Sequence, residues 1–262
     1  MTLPMYPPGD DPGPDFAGML RRTGLVPESP SGPLGPELRF AHGTTVLAVR
    51  YADGVVMAGD RRATSGNLIS HKTMEKVFPA DSWSGVAIAG AAGPAIEMVK
   101  LFQLQLEHYE KVEGQALSLE GKANQLSQMV RNHLPAAMQG LAVVPLFAGF
   151  DQRRGVGRLF QYDVTGGRYE EDDYATSGSG GLHAATVIKL GYRADGSADQ
   201  AIDLAFRALI TAAEEDSATG GPDPAKGIWP IIATIDARGF TRIADPDLAD
   251  RYARLISDSE AK

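Results

Sequence analysis

Hydrophobic and polar positions change period several times along the chain, and each change marks an element. Residues 44–51 are rich in β-branched and apolar side chains, Thr44-Thr45-Val46-Leu47-Ala48-Val49 with Tyr51 behind them, which suits a pleated, half-buried strand. Ala52-Asp53-Gly54 follows, and Asp-Gly is a strong hairpin signal. Residues 55–60 return as a second strand, and Thr64-Ser65-Gly66-Asn67 is a further turn. Short strands are expected at 76–78 and 85–89. Gly93-Pro94 reads as a helix start, because proline is pre-organised for the first helical position. Ile96, Val99, Phe102 and Leu106 share one helical face, and this helix ends near Gly114. Ser118 caps a second helix with the stripe Leu126, Met129, Val130, Leu134 and Met138. Gly140 ends it, and Pro135 kinks its last turns or cuts them short.

Strands resume at 143–150. Residues 158–163 and 169–176 flank Thr165-Gly166-Gly167 as a hairpin, with Glu170-Glu171-Asp172-Asp173 as a solvated acidic edge. Ser177-Gly178-Ser179-Gly180-Gly181 opens a third helix that runs through Leu190. Ser197 with Gln200 makes a capping box for a fourth, reaching Glu215. Beyond the loop 216–227 come strands at 231–236 and 239–243 and a short helix at 246–256. The order is strands, two helices, strands, two helices, strands. Hairpins join the strands, so the sheets are antiparallel. Two sheets packed together, each covered by a pair of helices, bury every apolar face. The predicted class is α+β, a four-layer αββα sandwich.

The first 40 or so residues have no such period. They are rich in proline and glycine, as in Tyr6-Pro7-Pro8-Gly9-Asp10-Asp11-Pro12-Gly13-Pro14, and cannot build a core of their own. Residues 1–43 are read as a propeptide removed on maturation, and residues 44–262 as the folded domain. Phe16, Met19 and Leu20 are the side chains of the leader suited to docking on another surface.

Composition narrows the function. Hydrophobic residues make up 43 % and charged residues 22 %, ordinary for a globular protein. The formal net charge is −8, with no basic block, which argues against nucleic acid. No apolar run approaches the ~20 residues needed to cross a bilayer, and residues 1–15 do not read as a secretory signal. A cytoplasmic location is expected, with no membrane partner. The chain has no cysteine, which removes disulfides, cysteine nucleophiles and thiolate metal sites together. The five histidines, His42, His71, His108, His133 and His183, show no metal spacing, and no cofactor is expected.

The chemistry is expected where leader meets domain. Thr44-Thr45-Val46 is also what an ordinary strand start looks like, so the octet alone does not decide. If the Gly43–Thr44 bond is cut, Thr44 becomes the first residue and carries both a hydroxyl nucleophile and its own base, the α-amine. That amine titrates near ~8 in a free peptide, so a modest downward shift leaves it neutral. Gly43 permits the tight turn that self-cleavage by the Thr44 hydroxyl demands.

An ordered set of segments then narrows the choice: Gly43-Thr44-Thr45, Gly59-Asp60-Arg61-Arg62-Ala63, Lys76, Ala89-Gly90, Gly178-Ser179-Gly180 and Asp216-Ser217-Ala218-Thr219-Gly220-Gly221. Together the chain resembles the β subunits of the 20S proteasome, N-terminal-nucleophile hydrolases, most closely of the actinobacterial type. The resemblance implies a threonine endopeptidase with Thr44 as nucleophile and Lys76 beside it. Asp60 pairs with that lysine, the Gly90 N–H is the oxyanion donor, and Ser179, Asp216 and Thr219 lie near the terminal amine. Thr219 stands where the family often has serine and keeps the hydroxyl. Ala63, Met74, Ile88 and Ala92 are carried over as the specificity pocket, whose apolar character implies cleavage after large hydrophobic residues. The implied partners are proteasome α subunits and other β subunits in a 28-subunit particle of four stacked heptameric rings, with a ring ATPase and tagged protein substrates.

Two other readings have distinct signatures. A two-ring bacterial peptidase of the same superfamily lacks α subunits, and the long leader and the 216–221 segment speak for the proteasome instead. A non-catalytic ring subunit lacks the nucleophile or the lysine, whereas Thr44, Asp60 and Lys76 are all present here.

Overall fold

Burial on both faces of the first strands decides the architecture. The computed structural model describes residues 44–66 and 68–260; Gly43 and the rest of the expected propeptide lie outside the described residues. Strands β1 (Thr45–Tyr51) and β2 (Gly54–Gly59) are buried at nearly every position. Successive strand side chains point to opposite faces, so each strand needs a partner on both sides. Val46, Ala48, Val55 and Met57 pack into one cluster with Ala87, Ala89, Leu146 and Ala148 of the opposing sheet. Leu47, Val49, Val56 and Ala58 pack the other way, against Ala205, Phe206 and Leu209 of a helix.

The first sheet has the strand order β10-β1-β2-β11-β12, with β10 at Tyr174–Gly178, β11 at Ile231–Asp236 and β12 at Gly239–Arg242. The second has the order β5-β6-β7-β8-β9: Val77–Asp81, Ser84–Gly90, Val143–Asp151, Val156–Tyr162 and Arg168–Glu171. Every pairing in both is antiparallel. Helices α1 (Ala92–Glu113) and α2 (Leu119–Asn132) cover the second sheet through Val99, Phe102, Leu126 and Val130. Past the short α3 (Leu134–Ala137), helices α4 (Gly181–Gly191) and α5 (Ala198–Glu215) cover the first sheet. Leu248 and Leu255 of the terminal helix α6 (Asp245–Glu260) join the same core. The result is the expected α+β sandwich of four layers, held by three apolar cores.

Local signals set several boundaries. Ser118 accepts from the Gly121 N–H and caps α2. Ser197 and Gln200 form both halves of the capping box that starts α5. The second helix stops at Asn132, short of Pro135, which lies in α3. Met138, expected on the buried stripe, is 60 % exposed, because the break rotates the chain off the helical period.

Three expectations need correction. The run 169–176 is not one strand. Residues 168–171 pair with β8 in the second sheet and residues 174–178 with β1 in the first, so the chain changes sheets across Asp172 and Asp173, both exposed. The acidic edge is not wholly solvated either: Glu170 takes Arg158 with both oxygens at 2.6 Å. Finally, Asn67 of the expected turn lies outside the described residues, and Thr64 and Ser65 of that turn belong instead to a two-stranded ribbon, β3 (Ala63–Ser65) with β4 (Leu68–His71). Its strands are short and largely exposed, so they carry no apolar alternation to read.

Candidate active site

The site forms where β1 begins, between the two sheets. Thr44 precedes the strand and is 5 % exposed. Its carbonyl approaches Gly178 so closely that a Cβ there would fall 1.9 Å from the oxygen; Gly178 has φ +95°. Only glycine permits both the conformation and the approach.

Asp60, at the end of β2, is the hub. Its Oδ1 accepts from the Thr45 N–H at 2.8 Å and from Lys76 Nζ at 2.6 Å. Oδ2 accepts from the N–H groups of Arg62 and Gly220, each at 2.8 Å. Four donors on one buried carboxylate satisfy it fully. Lys76 enters just before β5 and is 1 % exposed. Its ammonium also donates to the Arg62 carbonyl at 2.6 Å. Burial pushes the Lys76 pKa down from its ordinary value, while Asp60 opposes the shift.

A second acid lies near Thr44. Asp216 ends α5, and its Oδ2 accepts from Ser179 at 2.5 Å and from Thr219 at 2.6 Å. Ser179 Oγ in turn accepts from the Thr44 nitrogen at a long 3.4 Å. Burial disfavours the Asp216 carboxylate, but the hydrogen bonds from Ser179, Thr219 and the Ala218 N–H outweigh it and hold the group below its ordinary 3.8.

A cavity of about 270 Å³ opens beside Thr44. Ala63, Met74, Ile88 and Ala92 line it together with Gly90. Gly90 has φ +110°, and a Cβ there would fall 2.1 Å from the Ala142 carbonyl. The strand-to-helix turn that brings this backbone to the cavity therefore requires glycine. Thr64, Ser65, Ser70 and His71 of the ribbon complete the lining with Ala95.

Thus Thr44, Asp60, Lys76, Ser179, Asp216 and Thr219 are joined through Thr45 in one hydrogen-bonded cluster, and Gly90 with the four expected pocket residues lines a cavity that includes Thr44. Gly43 lies outside the described residues. Sequence reasoning gave no role to Arg62, whose backbone serves Asp60 and Lys76 while its guanidinium donates to the Ser217 carbonyl at 2.9 Å. It also missed the Gly220 N–H and the ribbon's share of the cavity. Arg62 and Gly220 lay within the quoted segments, but backbone donors and acceptors leave no trace in side-chain identity. Among the described residues no cluster of three or more His, Asp or Glu is arranged to hold a metal ion, and no helix is long and apolar enough to cross a membrane.

Comparison with known proteins shows the family. A family profile described as "Proteasome subunit" matches residues 40–223. "Proteasome subunit beta" of Acidimicrobium ferrooxidans is 58 % identical over 257 residues, 97 % of this chain and 93 % of the relative. The protein of the same name from Streptomyces griseus is 57 % identical over 224 residues, covering 86 % and 79 % of the two chains. That of Jonesia denitrificans is 52 % identical over 235 residues, covering 90 % and 78 %. With the sandwich fold and these relatives, the chain belongs to the proteasome subunit family, as a β subunit of the actinobacterial type.

Proposed function

We propose that this β subunit is a threonine-type endopeptidase of a proteasome core, and that Thr44 is its nucleophile once the Gly43–Thr44 bond is cut. The observation that carries the reading is the shared oxygen of Asp60. One carboxylate atom holds both the Lys76 ammonium and the amide that follows Thr44, so cation and nucleophile are fixed to a common anchor.

In the proposed cycle the Thr44 Oγ attacks the substrate carbonyl and its proton passes to the free Thr44 amine. Lys76 lowers the cost of the developing alkoxide. The Gly90 N–H donates to the tetrahedral oxyanion, a contribution worth roughly 3 kcal/mol in comparable sites. The amine returns the proton to the leaving nitrogen, and an ester on Thr44 remains. Water, activated by the same amine, hydrolyses the ester. Maturation uses the same hydroxyl, with the residue 44 nitrogen, still an amide, as the leaving group. The hydroxyl attacks the Gly43 carbonyl, the acyl group moves from the Thr44 nitrogen to its oxygen and so frees the amine, and water then hydrolyses the ester and releases the leader as a carboxylate. The mature chain then has 262 − 43 = 219 residues. Ser179 and Asp216, joined at 2.5 Å, orient the amine.

The cavity's apolar members, Ala63, Met74, Ile88, Ala92 and Ala95, favour a large hydrophobic side chain before the scissile bond. By its family the subunit assembles with α subunits and other β subunits into stacked rings in the cytoplasm, fed by a ring ATPase with tagged proteins. Particle size with and without an α partner separates this from a two-ring peptidase.

The test is to treat assembled particles with an epoxyketone or boronate and locate the adduct by mass spectrometry. Modification of an N-terminal Thr44 is expected. An unmodified chain still joined at Gly43–Thr44, with peptidase activity present, overturns the reading.

A further inference from the structure

We propose that Thr45 is a positioning residue for the reaction, acting through the two acids that flank the nucleophile. The inference rests on the reading of Thr44 as nucleophile and goes beyond it. Thr45 is 0 % exposed. Its backbone grips Asp60 in both directions: its N–H donates to Oδ1 at 2.8 Å, and its carbonyl accepts the Asp60 N–H at 3.1 Å. Its hydroxyl meets the Thr219 hydroxyl at 2.6 Å, and Thr219 meets Asp216 at 2.6 Å.

Counting protons gives these contacts a direction. A carboxylate only accepts, and a hydroxyl has one proton to give. Thr219 spends its proton on Asp216, so Thr45 must donate to Thr219. Ser179 likewise spends its proton on Asp216, so its oxygen accepts from the Thr44 nitrogen. Both arms of the relay converge on Asp216 Oδ2. One starts at the nitrogen of residue 44, the other at the hydroxyl of residue 45. Asp216 therefore holds the Thr44–Thr45 segment at two points, while Asp60 holds it at a third.

The pleat explains why this residue acts at second hand. Successive side chains along a strand point to opposite faces. Thr44 lines the cavity, and Thr45 points away from it toward the start of α4. There the turn is kept clear, since a Cβ on Gly180 would lie 2.3 Å from Thr45 Oγ1 and 2.8 Å from Thr219 Oγ1. Thr45 touches no reacting atom, yet its hydroxyl sets the angle at which the strand presents the Thr44 hydroxyl and amine.

The experiment compares assembled wild-type particles with Thr45→Val, which keeps shape and β-branching but loses the hydroxyl, and with Thr45→Ser, which keeps the hydroxyl. Thr45→Val is expected to lower kcat by roughly tenfold or more, the scale of a lost buried hydrogen bond combined with small misplacement, with KM within about twofold. Its acid limb of kcat/KM, set by protonation of the Thr44 amine, should move to higher pH, because an Asp216 charge with weaker donors favours the protonated amine. Thr45→Ser should retain most of kcat. Thr219→Val breaks the same link from the other end, and the double variant should be no worse than the worse single one, as coupled residues require. Wild-type kinetics in Thr45→Val, equal loss in Thr45→Ser, or additive losses in the double variant each overturn the proposal. If Thr45→Val fails to assemble, Thr45→Ser against Thr219→Val decides on the same criteria. Failure of the underlying reading looks different: the wild-type particle itself would carry no adduct at Thr44.

Discussion

The Asp60 carboxylate and the Lys76 ammonium meet at 2.6 Å with side chains 0 % and 1 % exposed. A pair this deep is sensitive to the loss of either partner, because an unpaired buried charge costs far more than the pair contributes. Asp60→Asn keeps the shape but turns an NH2 group toward donors on Arg62 and Gly220 or toward Lys76. We expect it to destabilise the subunit by about 3–5 kcal/mol and to abolish labelling of Thr44 by an epoxyketone. Chemical denaturation and intact-mass labelling check the two effects separately.

Removal of the Thr44 hydroxyl stops both reactions assigned to it. Thr44→Ala should leave a chain of 262 residues with the leader attached and no peptide turnover. Intact mass and a fluorogenic assay measure this. Cleavage at Gly43 in the purified variant, without added protease, would remove self-processing from the account.

The cavity is small enough for one substitution to retune it. Ala63→Leu adds three carbons to a space of about 270 Å³. Each methylene-sized misfit in such a pocket is worth about 1–3 kcal/mol of discrimination. Turnover after large hydrophobic residues should fall at least tenfold relative to turnover after alanine. A peptide panel reads the ratio, and an unchanged preference would detach Ala63 from specificity.

Gly178 faces the Thr44 carbonyl with φ +95° and 1.9 Å for an added Cβ. Gly178→Ala must displace the β1–β10 pairing at Thr45↔Gly178. The expected result is slowed or lost maturation and destabilisation above about 2 kcal/mol, measured by unfolding and by the fraction of cleaved chain.

Acid should release Asp216 late. Its folded-state pKa lies below the ordinary 3.8, so its contribution to stability is fully present above that value and is lost as the pH falls through the folded-state one. Thermal unfolding of wild type should therefore lose an increment below about pH 4 that Asp216→Asn does not show. A wild-type curve that parallels the variant across that range contradicts the assignment.

Much of the scaffold was legible because its causes are local. The β-branched and apolar run at 44–51, the Asp53-Gly54 turn, the Ser197–Gln200 box and the brake at Pro135 act over a few residues each. The site residues were legible mainly as an ordered set, since Lys76 or Asp60 alone is an ordinary side chain. The break within 169–176 was not legible: Tyr169 and Tyr174 look alike as strand residues, and only pairing with β8 or β1 tells them apart. Likewise Arg158 buries its charge among Glu120, Asp151 and Glu170, three partners from different elements that no spacing announces.

By itself, then, the sequence determined most of the strand and helix segments, the αββα class and which side chains are able to do chemistry. Those follow from backbone preferences and side-chain type, which act between near neighbours. Only the tertiary structure decided that the Thr45 amide and Lys76 share one oxygen of Asp60, that Arg62 works through its backbone, and that Asp216 reaches residue 44 and residue 45 by separate arms. Such contacts join positions up to 174 residues apart, and only the packing of sheets and helices brings such distant positions within hydrogen-bonding reach.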